Sequence, residues 1–131
     1  MLRWWLAAPQ GGLVGPALVK CELIGEHDAV PRTRRMTLAD GVVDDEQLFY
    51  QNNDTRRIYY GKSEPAGSAV SGYFASTYVD EIDGDACTLH VSSRFDVRPE
   101  ADLPAIVARF EMIYAAIFNG YRRYFSRAVI D

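Results

Sequence analysis

From residue 17 to residue 95 the chain alternates between apolar, β-branched or aromatic runs of strand length and short polar breaks. The runs fall at 17–24, 33–38, 42–51, 55–62, 71–82 and 86–95. The breaks are Gly25–Asp28, Ala39–Gly41, Asn52–Asp54, Glu64–Ser68 and Asp83–Asp85. Gly, Asn and Asp supply the positive φ or local side-chain bonding that tight reversals need, so consecutive strands are predicted to pair antiparallel as a meander. Beyond Arg98 the period changes. Leu103, Ile106, Val107, Phe110, Ile113, Tyr114, Ile117, Tyr121 and Tyr124 recur at three and four residues, which predicts one long amphipathic helix over about 101–125. Such a helix buries its stripe only against the preceding sheet, and the sheet must curve around it. The predicted fold class is therefore α+β: a curved antiparallel sheet of about six strands packed on a long C-terminal helix, in a single domain over residues 1–131. Before residue 17, Pro9, Gly11, Gly12, Gly15 and Pro16 leave room for no more than a short helical end at 2–8.

Alternation assigns faces in some strands and not in others. In the last strand Cys87, Leu89, Val91, Ser93 and Phe95 form the apolar set and are predicted to face the helix, which sends His90 outward. In 71–79 both sets are mixed, Tyr73, Ala75, Thr77 and Val79 against Phe74, Ser76 and Tyr78, and the pattern leaves the choice open. In the third strand Glu46, Leu48 and Tyr50 share a face, which puts a carboxylate among apolar groups. Facing the helix, Glu46 would have its pKa raised by burial and serve as a ligand acceptor or general base; the alternative is a rim carboxylate paired with Arg34 or Arg57.

Charge and composition narrow the function. The net charge is −4, with 14 basic residues scattered among 18 acidic ones, so no nucleic-acid footprint is present. The apolar opening stops at Pro9, short of a signal peptide or a bilayer span, which predicts a cytoplasmic protein with no stable membrane insertion. Cys21 and Cys87 lack metal or redox spacing and read as buried free thiols. With His27 in a turn and His90 facing outward, neither a protein-built metal site nor a nucleophile–His–acid set is predicted, and no cofactor is implied.

An ordered series of short motifs carries a resemblance. Cys21-Glu-Leu-Ile-Gly25, Arg34 to Gly41, Val43 to Leu48, Asp54 to Arg57, Val70 to Ala75, and Cys87 to Phe95 resemble the bacterial polyketide cyclase/dehydrase-like branch of the SRPBCC (START-like) superfamily, over about residues 17–125. The resemblance implies a helix-grip fold, in which the sheet and the last helix enclose an apolar ligand. It implies that Glu46 and Tyr73 line the cavity and hydrogen-bond the ligand, directly and through water, as in the distantly related plant abscisic-acid receptors. That favours Tyr73, Ala75 and Thr77 as the inward set. Two departures matter. Val91 stands where the family has tryptophan, which would enlarge the cavity locally or leave a gap that another residue fills. The family's first strand and short helices have no counterpart ahead of Trp4-Trp5, which resembles an interior motif. This implies either a start further upstream or a partner chain covering an exposed sheet edge.

Three functions follow. In the first, the domain binds a small hydrophobic ligand, polyketide-, lipid- or aromatic-like, in a cavity lined by Leu48, Tyr50, Tyr59, Tyr73, Ala75, Thr77, Val91, Phe110, Tyr114 and Phe118, with Glu46 and Tyr73 fixing its polar end. In the second, it is a cyclase/dehydratase-type enzyme in which Glu46 abstracts a proton beside a carbonyl and Tyr59 or Tyr73 hydrogen-bonds the enolate. In the third, it is an interaction module that forms a homodimer through its exposed sheet edge.

Overall fold

The computed structural model describes residues 18–25, 30–62, 64 and 67–128. Six strands follow one another: β1 (Leu18–Ile24), β2 (Arg32–Leu38), β3 (Val43–Asn52), β4 (Arg57–Lys62), β5 (Val70–Asp83) and β6 (Ala86–Val97). One helix, α1 (Leu103–Ala128), ends the series. The strands form a single antiparallel sheet in chain order from β1 to β6. This is the α+β arrangement predicted, a curved sheet followed by its helix, compatible with a helix-grip fold. The expected helical end at 2–8 and the turn holding His27 lie outside the described residues.

Local chemistry explains where the elements stop. Gly41 takes φ 85° in the β2–β3 turn, where Val42 N–H is also held by the Asp40 carboxylate at 3.0 Å. Between β3 and β4 the Asn52 side-chain oxygen accepts from the N–H groups of Asp54 and Thr55, at 2.9 and 3.0 Å. That capped turn runs on through Arg56, so β4 begins at Arg57 rather than at residue 55 as predicted. Asp102 accepts Ala105 N–H at 3.1 Å as the N-cap of α1, and Pro104 sits in the first turn, where a missing N–H costs nothing.

The inner face is read from burial. Arg32, Arg34 and Met36 of β2, Glu46 and Leu48 of β3, Ile58 and Tyr60 of β4, and Ala75 and Thr77 of β5 are all buried. Leu48, Ile58, Tyr60 and Ala75 form the apolar centre, with Leu23 and Tyr73 packed against it. On α1 coverage rises toward the C-terminal end. Leu103 and Val107 are exposed, Phe110, Ile113, Tyr114, Ile117 and Phe118 are half-buried, and Tyr121 is buried. The predicted stripe is thus covered without a break only from Phe110 onward, Ile106 being half-buried between the exposed Leu103 and Val107, and the Tyr124 side chain lies outside the described residues. Cys21 is half-buried, but Cys87 is exposed rather than buried as expected, because it sits beside the β5–β6 hairpin turn.

One irregularity reassigns a predicted face. Leu48 pairs with Tyr60, yet Tyr50 pairs with Tyr59, so Phe49 is an extra residue on β3. The bulge keeps Leu48 inward and turns Tyr50 to the outer face. Gly61 belongs to this arrangement, since a Cβ there would stand 2.7 Å from the Phe49 ring and 3.0 Å from the Tyr73 carbonyl oxygen.

Candidate functional site

Arg34 and Glu46 are direct cross-strand partners. Both point inward, and the Arg34 guanidinium donates to Glu46 Oε2, with side chains only 10% and 9% exposed. Burial works against the charge of Arg34, but the adjacent carboxylate more than offsets it and raises the Arg34 pKa. One residue along, the next cross-strand pair, Arg35 and Asp45, points outward, bonded through Nε and NH2 at 2.8 and 2.9 Å. The same β2–β3 register thus makes one ion pair on each face. A third pair, Lys62 with Asp44 at 2.5 Å, is half-buried, and Lys62 Nζ lies 5.5 Å above the centre of the Tyr73 ring.

Beside these charges the sheet and helix bring rings and hydroxyls together. Phe110 of α1 stacks on Phe95 of β6 at 4.5 Å and on Tyr73 of β5 at 5.6 Å, so three elements share one aromatic cluster. At its edge Tyr73 Oη lies 3.5 Å from Tyr114 Oη, and Tyr114 donates to Ser93 Oγ. Deeper, Tyr60 hydrogen-bonds Thr77, and Tyr121 is held near Arg34. Burial raises the pKa of Tyr60, Tyr73 and Tyr121 far above the ordinary phenol range; the Glu46 charge adds to this for Tyr60 and the Tyr60 hydroxyl for Tyr73, while Arg34 acts the other way on Tyr121. All three are therefore neutral at any physiological pH.

An alkaline titration checks that assignment. Unfolded tyrosines release protons near 10.0, whereas these three hold theirs in the folded state, so the folded state binds more protons above that pH. Their contribution to stability is complete below pH 10 and falls as pH rises beyond it. A melting-temperature series is expected to drop from about pH 10 upward, with part of the tyrosinate absorbance appearing only in the unfolding step. Tyr73→Phe should make the drop shallower.

Most of the predicted site residues are brought to this inner region: Glu46, Leu48, Tyr73, Ala75 and Thr77 from the sheet, Val91 opposite Thr77, and Phe110, Tyr114 and Phe118 from the helix. Tyr50 and Tyr59 are not. Tyr50 is turned outward by the bulge, and Tyr59 alternates with the buried Ile58 and Tyr60, so the two stack on each other at 5.0 Å on the outer face. Neither can line a space under α1. Sequence reasoning missed Tyr60, Ser93, Phe95 and Tyr121 as members of the cluster. For Ser93 and Phe95 the signal was present in the predicted inward set of the last strand. For Tyr60 it was not, because Tyr59 and Tyr60 are the same residue type on opposite faces.

The arrangement offers a ligand an aromatic wall ending in hydroxyls that both donate and accept. Charge is held further in as a closed pair. Among the described residues no helix is long and apolar enough to cross a membrane. No protein-family model and no curated protein matches the sequence. Among solved structures, the chain is similar to an uncharacterised protein of Bacillus thuringiensis, with 20% identity and a TM-score of 0.71 over 90% of this chain and 80% of that one. It is also similar to the protein XoxI of Bacillus cereus, with 19% identity and a TM-score of 0.72 over 90% of this chain and 78% of that one. At this level of identity the likeness establishes a shared fold and nothing about activity.

Proposed function

We propose that the chain binds a small hydrophobic ligand, of polyketide-, lipid- or aromatic-like chemistry, between the inner face of the sheet and α1. The observation that carries this reading is the meeting of Tyr73 and Tyr114, from opposite layers, at the edge of the Phe95–Phe110 stack. Two phenol hydroxyls there suit a carbonyl or hydroxyl on an otherwise apolar molecule. The motif series resembling the SRPBCC polyketide cyclase/dehydrase-like branch supports the same reading. We place the protein in the cytoplasm, where its two free thiols stay reduced.

Catalysis by Glu46 is the weaker alternative. A general base must turn a lone pair to the substrate, and one of the two Glu46 carboxylate oxygens, Oε2, is taken up by Arg34. Its role here is to hold Arg34, and through it the polar floor of the site.

Native mass spectrometry of gently purified protein, followed by thermal shifts with polyketide-like, aromatic and lipid compounds, tests the proposal. A co-purifying small molecule is expected, and losing one hydrogen bond in Tyr73→Phe or Tyr114→Phe should weaken binding roughly tenfold. Absence of any bound molecule together with no shift from any compound would sink it. Turnover of a compound that Glu46→Gln abolishes would establish the enzymatic alternative instead.

A further inference from the structure

The outer face of the sheet carries an organised pattern that the proposed ligand site does not use. Tyr50 of β3, Tyr59 of β4, Phe74 of β5 and Arg94 of β6 stack in sequence across four strands, at 5.0, 5.6 and 5.0 Å. A second row crosses three strands: Arg57 of β4 lies 4.3 Å from the centre of the Tyr78 ring, which stacks on His90 of β6 at 4.3 Å. These separations are close to the spacing between neighbouring strands, about 4.8 Å; Tyr50 and Tyr59 are within 24° of parallel and Tyr78 and His90 within 6°, while Tyr59 and Phe74 are tilted by 41°. Phe49 and Tyr50 are exposed.

That geometry decides what the surface can accept. Tyr59 and Phe74 stand between neighbours, and Tyr78 stands between Arg57 and His90, so inside the rows a nucleobase or sugar finds no open plane to stack on. What remains is a row of ring edges, the electropositive part of an aromatic ring, flanked by Arg57 and Arg94. Among the described residues neither arginine makes an ion pair. The complement is an acidic segment carrying apolar side chains.

The chain displays such a segment on the same hairpin. Asp83 and Asp85 follow Ile82, which is 66% exposed, at the β5–β6 turn, while Glu81 on its other side is paired with Arg56 at 2.8 Å. The spacing is self-complementary. On β6, Arg94 lies four residues to one side of His90 and Ala86, where the turn begins, four to the other, each about 13 Å away at ~3.3 Å per residue. A twofold axis through the Tyr78–His90 row therefore sets Arg94 of each copy against the acidic turn of the other.

We infer that two copies of this chain associate face to face through the outer surface of β3–β6, with the Arg57–Tyr78–His90 row at the centre and Arg94 of each copy paired with the Asp83–Asp85 turn of the other. This surface is independent of the ligand site and is distinct from the sheet edge considered from sequence.

Sedimentation of the full chain over a range of concentrations provides the test. A monomer–dimer equilibrium that weakens as salt screens the exposed charges is expected. Arg94→Glu and Asp85→Lys each create two like-charge contacts per dimer and should weaken self-association at least tenfold, while circular dichroism shows both still folded. Mixing the two variants restores one native contact and one reversed pair, so the mixed dimer should regain wild-type affinity. A chain that stays monomeric throughout, a dimer indifferent to either reversal, or a mixture that fails to recover overturns the proposal.

Discussion

Glu46→Ala is expected to cost about 3–5 kcal/mol of unfolding free energy, read as a lowered urea midpoint with an unchanged slope. The substitution leaves the Arg34 guanidinium inside the sheet without the carboxylate that offsets its burial. The expense lies in a buried charge whose burial the carboxylate no longer offsets rather than in the attraction lost. The double variant Arg34→Met with Glu46→Leu removes both charges and keeps the volume filled, and it should recover most or all of the loss. If the double variant is instead as unstable as the single one, the pair contributes through a wider network that includes Tyr60 and Tyr121. Asp45→Ala, which breaks the neighbouring pair on the outer face, is expected to have a much smaller effect, because solvent screens that pair.

Leu48→Ala is expected to cost about 2–5 kcal/mol. Leu48 is 0% exposed and sits with Ile58, Tyr60 and Ala75 at the apolar centre, pinned on one side of the Phe49 bulge. Its neighbours are strand residues locked in register, so they have little freedom to collapse into the space left behind. Against a typical total of about 5–15 kcal/mol for a domain, this loss approaches the whole margin. Chemical denaturation checks it, and a cost below about 1 kcal/mol would mean that this centre is far looser than its burial implies.

Much of this fold could be read from sequence because its punctuation is local. Asn52, Asp83 and Gly41 mark reversals through their own side chains or φ, and the apolar set of β6 follows simple alternation. The fate of Tyr50 could not be read that way. A bulge at Phe49 leaves no compositional trace between two aromatic residues, yet it reverses every assignment beyond it. Arg34 was one of two partners proposed from sequence for Glu46, but at the rim; that the two meet buried on the inner face follows only from the β2–β3 register. On α1 the periodicity gave the side that faces the sheet but not how far the sheet reaches beneath it, and so did not foresee the exposure of Leu103 and Val107. The candidate site shows the same division. Tyr73, Ala75 and Thr77 were assigned inward by resemblance, whereas the link from Tyr114 to Ser93 depends on where a helix settles on a sheet.

The strict chain order of the strands bears on how the molecule is made. Each strand can pair with its predecessor as soon as it leaves the ribosome, so the sheet needs no distant segment to assemble. Its cover is different: α1 follows the last strand, and its best-buried part lies in the later half of the helix. Once Val97 has left the ribosome, and until α1 follows it, Leu48, Ile58 and Tyr60 face outward from a finished but uncapped sheet. The uncapped sheet is the state most open to misassociation, and it lasts from the emergence of Val97 from the ribosome to that of Tyr121.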